Sequence, residues 1–104
     1  MQAYEIHRLE QAGSSFRLRA QVSFIDGSRL YVRETIIEGA ERKYAYHWQT
    51  AEGLLLVRWD NASHWAVETF PHHKHVGSQQ NVLPSYERSL EKVMAVISAQ
   101  ITVG

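Results

Sequence analysis

Apolar and polar residues alternate clearly in the first third of the chain. Phe16, Leu18, Ala20, Val22 and Phe24 are interleaved with Arg17, Arg19, Gln21 and Ser23, the period of a strand with one buried face. Residues 29–37, rich in β-branched and aromatic side chains, predict a second strand. Ile25-Asp26-Gly27-Ser28 between them is a hairpin signal. A type I turn on Ile25-Asp26, with Gly27 left-handed, sets Phe24 against Ser28, Val22 against Leu30, Ala20 against Val32, Leu18 against Glu34 and Phe16 against Ile36. A two-residue loop on Asp26-Gly27 would instead oppose Val22 to Tyr31 and Arg19 to Glu34. The first register gathers the apolar residues on one face and is the one expected, although it leaves Glu34 on that face. Residues 2–9 alternate weakly and read as an edge strand.

A second hairpin spans residues 43–49 and 54–60 around Ala51-Glu52-Gly53. The same loop type places Trp48 opposite Leu56, Tyr46 opposite Arg58 and Tyr44 opposite Asp60. Ala45, His47, Leu55, Val57 and Trp59 then share the other face. Residues 61–84 have no clean period. They predict a short strand at Ala66–Phe70, interrupted by Pro71, and an exposed loop at residues 77–81. Leu90, Val93, Met94, Ile97 and Ile101 form one apolar stripe at helical spacing. This predicts a helix over residues 89–101, capped by Ser85 or Ser89. The expected fold is α+β. One antiparallel sheet of five to six strands carries one C-terminal helix on one face, in a single domain spanning residues 1–104.

Composition narrows the chemistry. The chain has 104 residues, no Cys, six His, and 11 basic against 11 acidic residues for a net charge of zero. Without Cys there is no disulfide scaffold, thiolate-held iron–sulfur cluster or Cys-type zinc finger. A neutral total argues against bulk coating of nucleic acid. It is compatible with a local basic patch: residues 70–76 hold three His and a Lys without an acid, while Glu87 and Glu91 sit at the helix. No apolar run reaches the ~18–20 residues of a membrane span, and the first residues lack a signal-peptide core. A cytoplasmic protein with no membrane partner is expected.

Phe70-Pro71-His72-His73-Lys74-His75 is the densest chemical signal. Three readings stay open. The imidazoles can ligate a metal, but no carboxylate or Cys lies nearby in sequence to complete the shell. They can act as acid and base on an RNA phosphodiester, with Lys74 or Arg58 stabilising the charge on phosphorus. Or they are loop histidines without a chemical role. Glu34 needs a partner on its apolar face, and Arg58 is the candidate if the hairpins adjoin. Asp60 and Asn61 are turn formers, and Asp60 can also orient a His. Tyr44 and Tyr46 read first as sheet packing and second as a base-stacking platform. Trp65 carries no signal.

Leu30-Tyr31-Val32-Arg33-Glu34, Lys43-Tyr44-Ala45-Tyr46-His47-Trp48, Arg58-Trp59-Asp60-Asn61-Ala62, the His-rich segment and Ser89-Leu90-Glu91-Lys92-Val93 resemble, in that order, the TumE-type toxin family. The likeness covers nearly the whole chain. It implies the toxin half of a type II toxin–antitoxin pair, with an adjacently encoded DNA-binding antitoxin of helix-turn-helix type and ribonuclease activity. Placed on these positions, the expected mechanism is metal-independent, with no cofactor, and proceeds through a 2′,3′-cyclic phosphate. Two of His72, His73 and His75 serve as base and acid. Lys74 or Arg58 stabilises the phosphorane, and Asp60 or Glu34 orients a partner. Arg33 lies along the RNA, with Tyr44, Tyr46 and His64 as further substrate contacts. The competing reading is a non-catalytic binding module whose aromatic face docks a partner. A single sheet with one helix leaves a second face for a homodimer or antitoxin contact.

Overall fold

The sheet continues well beyond the two hairpins. Seven strands form one antiparallel sheet in chain order: β1 (Ala3–Ala12), β2 (Ser15–Ser23), β3 (Arg29–Ile37), β4 (Glu41–Gln49), β5 (Leu55–Asp60), β6 (His73–Val76) and β7 (Val82–Pro84). The helix α1 (Leu90–Val103) follows. Each strand pairs with its neighbour in sequence, giving a meander. The computed structural model describes residues 3–38 and 41–103. Gln2, the first residue of the expected edge strand, lies outside them.

The first hairpin has the expected register, from Val22 opposite Leu30 to Phe16 opposite Ile36. Phe24 N–H donates to the Ser28 carbonyl and Gly27 N–H to that of Phe24, both at 3.0 Å. The turn needs a left-handed residue at its third position, and Gly27 supplies it with φ of 88°.

The second hairpin has the expected loop and then departs from the expected register. Thr50 still faces Leu54, through an N–H to carbonyl bond of 2.9 Å. A bulge follows, however. Gln49 pairs with Leu55, and Trp48 already pairs with Val57. The extra residue turns every later side chain over. Tyr46 therefore faces Trp59, and Ala45 faces Asp60. The reason lies in burial. Without the bulge, Arg58 and Asp60 would enter the face holding Tyr44 and Tyr46. With it, Val57 and Trp59 enter and the charged pair leaves.

Two further corrections concern residues 61–84. Ala66–Phe70 is no strand but a pair of turns, with Phe70 N–H on the Val67 carbonyl and His72 N–H on that of Thr69. The His-rich segment is instead the strand β6, and β7 adds a short edge beyond it, which raises the strand count to seven. At the helix, Ser89 is the cap, its Oγ accepting the Lys92 N–H at 3.3 Å. Ser85 is buried and donates to the Glu87 carbonyl at 3.1 Å.

The helix packs on one face only. Val93 and Ile97, fully buried, join Leu30, Val32, Tyr46, Trp48, Val57 and Trp59 in one core. Removing a fully buried side chain of this size from water stabilises the fold by about 1.5–3 kcal/mol. Polar groups on this covered face are mutually satisfied. Glu34, on the apolar face as expected, accepts Arg42 Nη2 at 2.9 Å and the Tyr46 hydroxyl. Its partner is thus Arg42, two positions before Tyr44, and not Arg58, which the bulge has carried to the other side. The opposite face is open over β2–β4 among the described residues, and Asp60, His73 and His75 at its β5–β6 end are buried. The exposed apolar residues Tyr4, Ile6 and Leu9 stand on the edge strand β1, on the helix side of the sheet.

Candidate functional site on the open face

Pairing registers place the open-face residues in rows across the strands. One row runs Arg8, Arg19, Arg33, Ala45, Asp60, His73 from β1 to β6. The next runs Gln21, Tyr31, His47, Arg58, His75 from β2 to β6. Directly opposed residues stand only ~4.5–5.5 Å apart at Cβ, and like charges there are unfavourable. Arg19 and Arg33 are nevertheless directly opposed and exposed. Among the described residues neither has an acidic partner; Arg8 alone in the row pairs with an acid of β1, Glu10, at 3.3 Å.

Both rows end at a cluster of charge and imidazole. Arg58 stands between two groups: its Nε donates to Asp60 Oδ2 at 3.3 Å, and its Nη1 is 3.4 Å from His47 Nδ1. Burial, then the neighbouring guanidinium, pushes His47 below the ordinary imidazole range, so it is neutral at pH 7. Asp60 is itself nearly buried and receives the Ala62 N–H on Oδ1 at 3.0 Å, an Asx turn that fixes the carboxylate. Asn61 extends β5 with its side chain, accepting Tyr44 N–H at 3.0 Å and donating to the Arg42 carbonyl at 2.7 Å.

The pairing of β5 with β6 sets His73 directly across from Asp60 and His75 across from Arg58. His73 Nε2 lies 2.9 Å from Asp60 Oδ1, and His75 Nε2 lies 3.7 Å from Oδ2. The two rings meet edge to face at 5.0 Å, and Trp65 leans over both. An open cleft of about 730 Å³ passes alongside, lined by Arg33, Tyr44, Arg58, Asp60 and His64 among others. A second hollow, including Arg19, Arg33, His47 and Arg58, adjoins it.

The His/Lys segment is split by its own strand geometry. Lys74 points to the covered face, where its Nζ donates to Glu87 Oε1 at 3.2 Å, beside the Trp59 indole N–H at the same distance. Burial alone would push Glu87 up, but the bonds from Trp59 and Lys74 outweigh it and hold the carboxyl below its usual range. His72 shares a 2.7 Å hydrogen bond with the Tyr44 hydroxyl. It is held below the ordinary imidazole value by burial and then by Arg88, Arg42 and His73. Burial pushes the Tyr44 phenol up to about 12, and Arg42 lies 4.5 Å over its ring.

The site expected from sequence is thus partly assembled. Arg33, Arg58, Asp60 and His64 line one cleft, and Tyr44, a covered-face residue, borders it. His73 and His75 lie beneath it against Asp60. Lys74, Tyr46 and Glu34 belong to the covered face, bonded to structural partners. A family model described as Toxin TumE matches residues 1–101. The chain belongs to the TumE toxin family. It is accordingly the toxin of a toxin–antitoxin system, which implies an antitoxin as partner. No curated protein and no solved structure matches the chain. No helix among the described residues of the toxin is long and apolar enough to cross a membrane.

Arg19, Arg42, His47 and Trp65 escape a reading of the sequence. Two of them were legible in principle. Arg42 shares the alternation of Tyr44 and Tyr46, and Arg19 faces Arg33 in the expected first register. His47 gains meaning only once the bulge brings Arg58 beside it. Trp65 stands in a segment without periodicity.

Proposed function

We propose that the toxin acts by cleaving RNA on the open face of the sheet. The observation that carries this reading is the pair of directly opposed, unpartnered arginines, Arg19 and Arg33, leading to Arg58 and Asp60. A row of like charge is costly alone and favourable under a polyanion. In this reading Arg19 and Arg33 follow the RNA backbone, and Arg58 receives the reacting phosphate. Asp60 aims the guanidinium through the 3.3 Å contact. His47, whose Nδ1 accepts only the long 3.4 Å contact from Arg58, takes the proton of the 2′-hydroxyl once the guanidinium has turned to the phosphate. The 2′-oxygen attacks phosphorus, the bond to the 5′-oxygen breaks, and a 2′,3′-cyclic phosphate remains. His64, exposed on the adjoining cleft that Arg58 also lines, returns a proton to the leaving oxygen.

Proton transfer is assigned here to His47 and His64, rather than to the histidines of residues 72–75. The Nδ1 atoms of His73 and His75 bond to backbone carbonyls, and their Nε2 atoms turn inward to Asp60. Lys74 is occupied by Glu87. The partner proposed for the toxin is the adjacently encoded helix-turn-helix antitoxin expected from the family.

The test is cleavage of a single-stranded RNA by the purified toxin. His47→Ala and Arg58→Ala should each lower the rate by roughly 10²-fold or more, with cyclic phosphate ends on the product. If wild-type protein that arrests growth leaves RNA intact, the toxin works as a binding module instead. If both variants cut at the wild-type rate, the cleavage site lies elsewhere.

A further inference from the structure

Asp60, His73 and His75 have a property that the cleavage chemistry above leaves unused. His73 is fully buried, and its Nε2 is, among the described residues, the one buried side-chain nitrogen or oxygen without a hydrogen-bond partner. Native interiors rarely leave such atoms orphaned. The backbone sets its direction. His73 Nδ1 donates to the Pro71 carbonyl at 3.0 Å, which turns Nε2 inward. Nε2 lies 2.9 Å from Oδ1 of Asp60. His75 repeats the arrangement, with Nδ1 2.8 Å from the Gln79 carbonyl and Nε2 3.7 Å from Oδ2. Two imidazole Nε2 atoms and one carboxylate thus converge on a single buried point.

We infer that these three residues bind one divalent transition-metal ion of the Zn²⁺ class. Their donor atoms all lie within 4.8 Å of one another. Metal–ligand bonds of about 2.0–2.2 Å separate adjacent ligand atoms by roughly 3–3.6 Å, close to the spacings of Asp60 from each imidazole. Two nitrogens and one carboxylate suit borderline first-row ions rather than Mg²⁺ or Ca²⁺. The outer shell is already built: a backbone carbonyl fixes each imidazole, and the Ala62 N–H and Arg58 Nε fix the carboxylate. The carboxylate that the sequence segment lacks is delivered by strand pairing. Asp60 also lines the cleft, so an ion held by these three residues would border it and would lack a fourth protein ligand from the trio.

The inference stands whether or not the toxin cuts RNA, and its test reads binding alone. Untagged full-length protein, stripped with chelator, is titrated with Zn²⁺ by calorimetry and by imidazole nitrogen NMR. One equivalent should bind, moving the Nε2 resonances of two histidines, His73 and His75, while those of His7 and His64 stay in place. Asp60→Ala, His73→Ala and His75→Ala should each weaken binding by more than the roughly 10–100-fold typical of removing an outer-shell partner; His7→Ala should not. The NMR arm uses wild-type protein only, so it holds even if a variant misfolds. Absence of saturable binding, coordination shifts at other histidines, or affinity that survives all three substitutions would overturn the assignment.

Discussion

The two faces of this one sheet treat charge in opposite ways. On the covered face, every charged group that enters the core edge is matched. Arg42 serves Glu34 and Tyr46, and Lys74 and Trp59 share Glu87. On the open face, Arg19 and Arg33 oppose each other directly, and Arg58 holds a single carboxylate contact whose acceptor is shared with two imidazoles. Matched charge under a helix stabilises; the arginine row has no such match among the described residues. A strand alternates between the two regimes residue by residue, which is why His73 and Lys74 have unrelated surroundings.

Stability separates the faces most strongly. Trp59→Ala should lower the unfolding free energy in urea by about 3–5 kcal/mol, through reduced burial and a residual cavity. Arg33→Ala on the open face should change it by no more than about 0.5 kcal/mol. A comparable destabilisation by Arg33→Ala would mean that the open face is structural.

Alkaline pH offers a second separation. The Tyr44 phenol ionises near 10.0 when unfolded and is pushed up to about 12 in the fold, by burial. Above pH 10 the unfolded chain therefore loses this proton first, so folded stability falls as pH rises from 10 towards 12. Tyr44→Phe should flatten that fall in denaturant midpoints measured across the range, although its baseline stability drops because the hydrogen bond to His72 is gone.

A small effect on stability and none on cleavage is expected of Lys74→Ala. The ion pair with Glu87 is partly exposed, at 27% and 17%, and a pair of this kind contributes about 0–1 kcal/mol. Its RNA cleavage per folded molecule should equal wild type. A catalytic role of Lys74 on the phosphorane would instead show as a large drop in rate at unchanged stability.

How far the chain could be read in advance follows the same division. The first hairpin was legible to the residue, because its alternation is strong and a one-residue slip would expose Leu18, Val22 and Leu30. The helix was legible from its stripe at Leu90, Val93, Met94, Ile97 and Ile101. The family was legible from motifs spread over most of the chain. The faces of Arg58, Trp59 and Asp60 were not. The loop at Ala51-Glu52-Gly53 is plain in the sequence, but the bulge beyond it answers to the volume of Trp59, and local pattern does not carry that. β6 was hidden because a strand rich in His and Lys lacks an apolar face, and β7 because it has only three residues and ends in Pro84. The buried residues of β6, His73 and His75, are polar, and only the pairing with Asp60 accounts for them.

The central claim is that the open face is where the toxin meets RNA. Affinity for a single-stranded RNA, measured across salt concentration, tests it most directly. Arg19→Ala with Arg33→Ala should weaken binding at low salt and reduce the salt dependence by about 0.7 in log–log slope for each phosphate no longer neutralised. Lys74→Ala, which removes a charge on the covered face, should bind with the wild-type slope. An unchanged slope for the arginine double variant, or a reduced one for Lys74→Ala, would contradict the account.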